Sequence, residues 1–225
     1  MLLQEHLHSV GGKRLQELRD LLTQMANHIE FAMAGAVMGL VEQSADFTRS
    51  AVSEQARIDS LHEKVDNLAM DLLTSGHLSK RGIRFVAHAL KIAMDFEQME
   101  EEVRQIADSS MVMNAQNAGI ASSRFPRLVE NSQGMVADGI DAFVHCNKGE
   151  AEEILTRARE LDVICQEVFR EILSFIGGHP DAAGGAMHML LVTRSFRRIG
   201  DAAANMARSV KAICLRCSKE QEKPA

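Results

Sequence analysis

The second half of the chain repeats the first, and a repeat restricts the fold more than any single motif can. At a shift of one hundred residues, His88, Leu90, Phe96, Ala107 and Ser109 meet His188, Leu190, Phe196, Ala207 and Ser209. Composition alone gives about one or two such matches over a stretch of that length. Upstream the shift is 103, and Val37, Leu40, Val41, Asp59 and Val65 meet Ile140, Phe143, Val144, Asp162 and Val168. The second copy is therefore three residues shorter at a turn. Turns absorb length changes and packed helices do not, so the pattern is that of a duplicated helical unit.

The repeat divides the 225 residues into two units, expected at 1–113 and 114–225, each large enough for a core when packed on its twin. Three prolines and the dominance of Ala, Leu, Met, Glu and Arg point to an all-α protein. Gly, Ser, Asn or Pro clusters near 44–46, 75–82, 113–119, 147–149 and 177–180 break the chain. Helices are expected at 14–44, 47–74, 82–112, 120–147, 150–176 and 182–216, giving two tandem three-helix bundles. At 100° per residue, Ile92, Phe96, Met99, Val103 and Ile106 line one stripe of the third helix. Val192, Phe196, Ile199, Ala203 and Met206 line the same stripe of the sixth, and Leu61, Val65, Leu68 and Leu72 that of the second. These stripes are the expected core.

Charge separates the two copies. Between Ile92 and Asp108, Asp95, Glu97, Glu100, Glu101, Glu102 and Asp108 stand against a single Arg104. In the sixth helix and beyond, Arg194, Arg197, Arg198, Arg208, Lys211, Arg216, Lys219 and Lys223 outnumber the acids. The expectation is an acidic strip on one repeat and a basic strip on the other, both exposed, with Glu100, Arg194 and Arg198 as partner contacts. The net charge of −6 argues against nucleic acid as partner. The N-terminal MLLQEHLHSVGGKRL has charges where a signal peptide needs an apolar stretch, and no run is long enough to span a bilayer, so a cytoplasmic location is expected. Four cysteines, Cys146, Cys165, Cys214 and Cys217, do not form a secreted disulfide pattern and fit a reducing compartment, with Cys214-x-x-Cys217 as ordinary helix-end thiols.

Glu97 and Glu101 stack one turn apart on the outside of their helix. Paired with carboxylates of a neighbouring helix, such residues can hold a cation through oxygen, although a solvated helix face is the commoner meaning of that spacing. Glu5-x-x-His8 stands alone where di-iron bundles need two copies. His88 and His188 fall at the edge of the core stripe, where a structural hydrogen bond is expected. Thirteen methionines serve as adaptable core filler. Without a Gly-rich phosphate loop, a nucleophile constellation or a paired Cys/His cluster, an enzyme is not expected.

The stretch Arg194-Ser-Phe-Arg-Arg-Ile-Gly-Asp-Ala-Ala-Ala-Asn-Met-Ala resembles the PhoU family of phosphate-uptake regulators, which carries Glu-Arg-Ile-Gly-Asp, a small residue and Asn-Ile near the end of each three-helix repeat. Arg198, Ile199, Gly200, Asp201 and Asn205 keep the second copy of that run, and Asp95-Phe-Glu-Gln-Met-Glu-Glu is a degraded first copy. The resemblance implies a pair of three-helix bundles acting as a cytoplasmic negative regulator. Its partners would be the ATP-binding subunit of a phosphate ABC transporter and a sensor histidine kinase, with the membrane reached only through them and a homodimer expected. Some members bind metal through two Glu/Asp-x-x-x-Asp pairs per repeat. Those pairs fall here on Gln55 with Asp59 and on Glu97 with Glu101 in the first repeat. In the second they fall on Ala158 with Asp162 and on Arg197 with Asp201. The resemblance thus implies a divalent or iron-type metal at Asp59, Glu97 and Glu101, bound weakly if at all. At Asp162, Arg197 and Asp201 the expectation is no metal, because an arginine has no lone pair to donate and already supplies a positive charge. The competing readings are a carboxylate metal-storage bundle and a PhoU-fold adaptor for another transporter.

Overall fold

The computed structural model describes residues 10–116, 119 and 122–214. Glu5, His8, Arg216, Cys217, Lys219 and Lys223 lie outside them. Among the described residues the chain is helical with no strand. The order is α1 (Val10–Val41), α2 (Ala45–Ser53), α3 (Gln55–Thr74), α4 (Lys80–Ala115), α5 (Phe125–His145), α6 (Lys148–Gly178) and α7 (Ala183–Cys214), with a single 3-10 turn at Pro180–Ala182 before α7. The first bundle packs α1, the broken α2–α3 and α4; the second packs α5, α6 and α7. The duplication places α5, α6 and α7 as the counterparts of α1, α3 and α4. The two bundles join along α4 against α7, with α1 touching α5 beside them.

The expected core stripes are the core. Ile92, Phe96, Met99, Val103 and Ile106 of α4, and Val192, Phe196, Ile199, Ala203 and Met206 of α7, are buried, as are Leu61, Val65, Leu68 and Leu72 of α3. Helix starts follow local chemistry. Ser79 Oγ accepts from Gly82 N at 3.1 Å before α4. Asn147 Oδ1 accepts from Gly149 N at 3.0 Å and Glu150 N at 3.4 Å before α6, satisfying donors that the first helical turn leaves open.

Two expectations about the helices need correction. The segment expected as one helix over 47–74 is two, broken at Glu54, which is only 3% exposed. His28 Nδ1 of α1 lies 2.5 Å from Glu54 Oε2, and Arg57 Nη1 donates to Oε1 at 2.7 Å. Glu54 keeps helical φ and ψ of −77° and −20°, and α2 lies close across α1. A Cβ on Gly39 would come within 2.3 Å of Thr48 Oγ1 and 3.0 Å of Thr48 N, so only glycine permits that crossing. The helix expected from 120 starts at Phe125, with Pro126 in its first turn, a position where the missing N–H of proline has no helical partner to lose.

The thiol expectation also fails at two positions. Cys146 and Cys214 form a disulfide, their Cα atoms 5.8 Å apart, and join the C-terminal ends of α5 and α7. Cys146 sits in the left-handed region at φ 53°, closing α5. From α1, Arg19 donates to the Val144 carbonyl and, at 3.1 Å, to that of Phe143, capping the open carbonyls of α5 with positive charge. Cys165 remains a buried thiol. No helix among the described residues is long and apolar enough to cross a membrane.

Candidate functional site

Each repeat presents a charged face where its second and third helices run side by side. In the first repeat, Glu97 and Glu101 are exposed on α4, and Asp59 is exposed on α3. His62, one turn after Asp59, puts Nδ1 3.3 Å from Glu97 Oε2 and Nε2 3.7 Å from Asp66 Oδ1. The imidazole thus links α3 to α4 on this face. The sequence does not mark it, because a lone histidine among acids has no spacing to distinguish it.

Glu100 is not on the surface, contrary to expectation. It is 8% exposed, and its carboxyl is pushed above the ordinary range first by burial, then by the charges of Asp59, Glu101 and Glu97, with Arg104 opposing. Asp95 and Glu102 are buried as well, at 8% and 4%. The acidic strip therefore shrinks to Glu97, Glu101 and the half-exposed Asp108, and Glu100 is not available as a direct partner contact. Glu102 serves the seam between the repeats, where Arg198 Nη1 of α7 lies 2.7 Å from its Oε1. One pair of the opposite charges on α4 and α7 therefore joins the two repeats. Arg198 is committed to that bond, whereas Arg194 is exposed.

In the second repeat the corresponding face holds Asp162, Arg197 and Asp201, and the counterpart of His62 is Cys165. Arg197 Nε donates to Asp162 Oδ1 at 2.6 Å. That bond, followed by the Asp162 and Asp201 charges, holds the guanidinium above its ordinary range. Asp201 is raised by partial burial, against the pull of Arg197. Burial pushes the Cys165 thiol up to about 12, despite Arg197 nearby, so it is not a thiolate nucleophile at neutral pH. Gly200 explains one letter of the Arg-Ile-Gly-Asp run. A Cβ there would come within 2.1 Å of Leu161 Cδ2, so α6 and α7 meet closely where α4 carries Glu100 instead.

No group of three His, Cys, Asp or Glu side chains among the described residues is gathered closely enough to hold a metal ion. As they stand, Asp59, Glu97 and Glu101 do not fit a resident metal. In the second repeat a cation already occupies the middle of the face.

The fold and its two faces define a tandem three-helix-repeat protein that presents different charge on equivalent surfaces. The PhoU domain model matches residues 22–110 and 125–210, one match in each repeat, and the chain belongs to that family. Over 204 residues it is 25% identical to the phosphate-specific transport system accessory protein PhoU homolog of Caulobacter vibrioides (strain NA1000 / CB15N), covering 90% of this chain and 89% of that protein. Over 202 residues it is 26% identical to the homolog of Xylella fastidiosa (strain 9a5c), covering 86% and 83%. Among solved structures, PhoU from Pseudomonas aeruginosa superposes with a TM-score of 0.86 at 20% identity, over 92% of this chain and 99% of that one. The phosphate transport system regulatory protein PhoU from Streptococcus pneumoniae gives 0.82 at 16% identity, over 90% and 96%.

Proposed function

We propose that this chain is a cytoplasmic accessory protein of phosphate transport. It would restrain the phosphate-starvation response through contact with the ATP-binding subunit of a phosphate ABC transporter and with a sensor histidine kinase. The observation that carries the reading is the double PhoU domain match, one in each repeat, with relatives of that name aligned over nearly their whole length. Regulation by contact suits what the surface offers: Glu97 and Glu101 on α4, Arg194 and Arg208 on α7, all exposed. Such charges set orientation and encounter rate more than affinity. Repeated helical faces also suit a symmetric homodimer, which sedimentation velocity would read.

Capture with the intact tagged chain, from phosphate-replete and phosphate-starved cells, tests the reading. Glu97→Lys with Glu101→Lys should reduce recovery of the transporter subunit or the kinase about tenfold while circular dichroism stays unchanged, the loss easing at high salt as surface charge is screened. Recovery of neither partner from either culture would overturn it.

The same reading leaves the second face without metal, because Arg197 supplies the charge an ion would bring. Any divalent or iron-type ion at Asp59, Glu97 and Glu101 requires those carboxylates to converge further than they do. Protein incubated with manganese or iron and then desalted should retain at most one ion per chain by elemental analysis. Two retained centres would contradict this.

A further inference from the structure

α4 and α7 run antiparallel along the seam: Asp95 lies near Asn205, and Glu102 pairs with Arg198. Toward one end they separate around an open cavity of about 340 Å³, lined by His88, Lys91 and Asp95 from α4 and by Asn205, Arg208 and Ser209 from α7. Met94, 63% exposed, forms its apolar rim.

Asn205 links Arg208 and Asp95 by hydrogen bonds, but the cations of this cavity form no ion pair among the described residues. Arg208 donates to Asn205 Oδ1, and neither Arg208 nor Lys91 has a carboxylate within ion-pair distance among the described residues. His88 Nδ1 is buried without a hydrogen-bond partner. Its imidazole is held below the ordinary range by burial, then by Lys91 and Arg84, so it stays neutral near pH 7. The Asp95 carboxyl is pushed up to about 7 by burial, against the hydrogen bond from Asn205 and the charges of Arg208 and Lys91. Around neutrality two cations therefore face a carboxyl that is only partly ionised, and the cavity is net positive. Unpaired cations converging on a recess with further donors are what an oxyanion requires.

The duplication supplies an internal control. At a shift of one hundred, Lys91 becomes Leu191, Asp95 becomes Ser195 and Arg208 becomes Asp108. Asp108 is paired with Arg104 at 3.4 Å. The His188 Nδ1 and Ser109 Oγ atoms there are also buried without partners, but the two cations that distinguish the first cavity are missing. The charge is a property of one end of the seam and not of the fold.

We propose that the cavity between α4 and α7 is a phosphoryl-oxyanion site, taking inorganic phosphate or the phosphate end of a small phosphomonoester. Lys91 and Arg208 supply the charge, and Asp95 senses the proton on the ligand. When protonated, Asp95 donates to any oxyanion. When ionised, it accepts from the hydroxyl of monohydrogen phosphate and repels sulfate, which has no proton to give. Phosphate binding therefore persists as pH rises through 7, while sulfate binding falls.

The inference stands on the cavity alone and does not need the adaptor reading, since binding and partner capture are measured separately. Isothermal titration of the full chain with inorganic phosphate, glycerol 3-phosphate and sodium sulfate at pH 6 and pH 8 tests it. Saturable phosphate or phosphomonoester binding is expected, weakened at least about tenfold by Lys91→Ala with Arg208→Ala, a loss of about 1.4 kcal/mol. Both side chains are exposed, so the double variant should fold. Asp95→Asn should make sulfate binding independent of pH. Binding of the ester without free phosphate assigns the site to an organic ligand, and binding of free phosphate assigns it to the ion. No saturation by either up to about 10 mM, or equal affinity in the double variant, would overturn the proposal.

Discussion

Phe196→Ala is expected to lower the unfolding free energy by about 3–5 kcal/mol, because the ring is fully buried and its removal leaves a cavity that helices can close only in part. Phe196 also meets Phe125 edge-on, with centroids 5.8 Å apart and planes at 74°, an arrangement worth about 0.5–1.5 kcal/mol beyond burial. Its repeat counterpart Phe96 is equally buried and has no such ring partner among the described residues. Phe96→Ala should therefore cost less by about 1 kcal/mol. Urea midpoints at constant slope would measure both. Equal losses would show that the edge-on pair adds nothing to stability.

Reducing the Cys146–Cys214 bond is expected to remove stability of the same order. The bond closes 68 residues of chain, and the entropy of that closure corresponds to about 4 kcal/mol. For a chain of this size the melting temperature should fall by about 10 °C. Thermal unfolding with and without reductant, with Cys146→Ser as a non-reducible reference, checks it, and mass spectrometry establishes the bond in each sample. An unchanged melting temperature after proven reduction would mean that packing and the Arg19 cap alone hold the ends of α5 and α7.

The bundles were legible in the sequence because their periodicity is redundant. Every residue assigned to the α4, α7 and α3 stripes is buried, since five or so apolar side chains at helical spacing admit one inward face. The burial of Asp95, Glu100 and Glu102 was not legible for a related reason. Helical amphipathicity presumes one buried side, whereas α4 and α7 are covered twice, by their own bundle and by each other. A run of three glutamates sweeps about 200° of the helix, so some of them had to enter that second contact. The break at Glu54 left no signal either: no glycine or proline marks it, and the His28 that meets its carboxylate is 26 residues away. Pro126 did carry a readable signal for the start of α5. The disulfide depends on two helix ends meeting in space, which spacing along the chain does not reveal.

On the charged faces, the Arg197–Asp162 contact was anticipated through the PhoU resemblance, which set the two residues on adjacent helices, and not from residue types alone. His62 and the cavity beside Asp95 required coordinates. Both lie between helices distant in the chain, and neither forms a motif.

The Glu102–Arg198 bond has a consequence for how two near-copies find the correct neighbour. Stacking α4 on a second α4 in the same antiparallel register would set Glu102 against Gln98, the counterpart of Arg198. Stacking α7 on a second α7 would set Arg198 against Ala202. The first mismatch strands the buried Glu102 without the cation that neutralises it, which is costly, and the second leaves Arg198 without its carboxylate. Duplicated genes build surfaces that could bind their own likeness. Here a single acid on one sister and a single base on the other make the unlike union the favoured one.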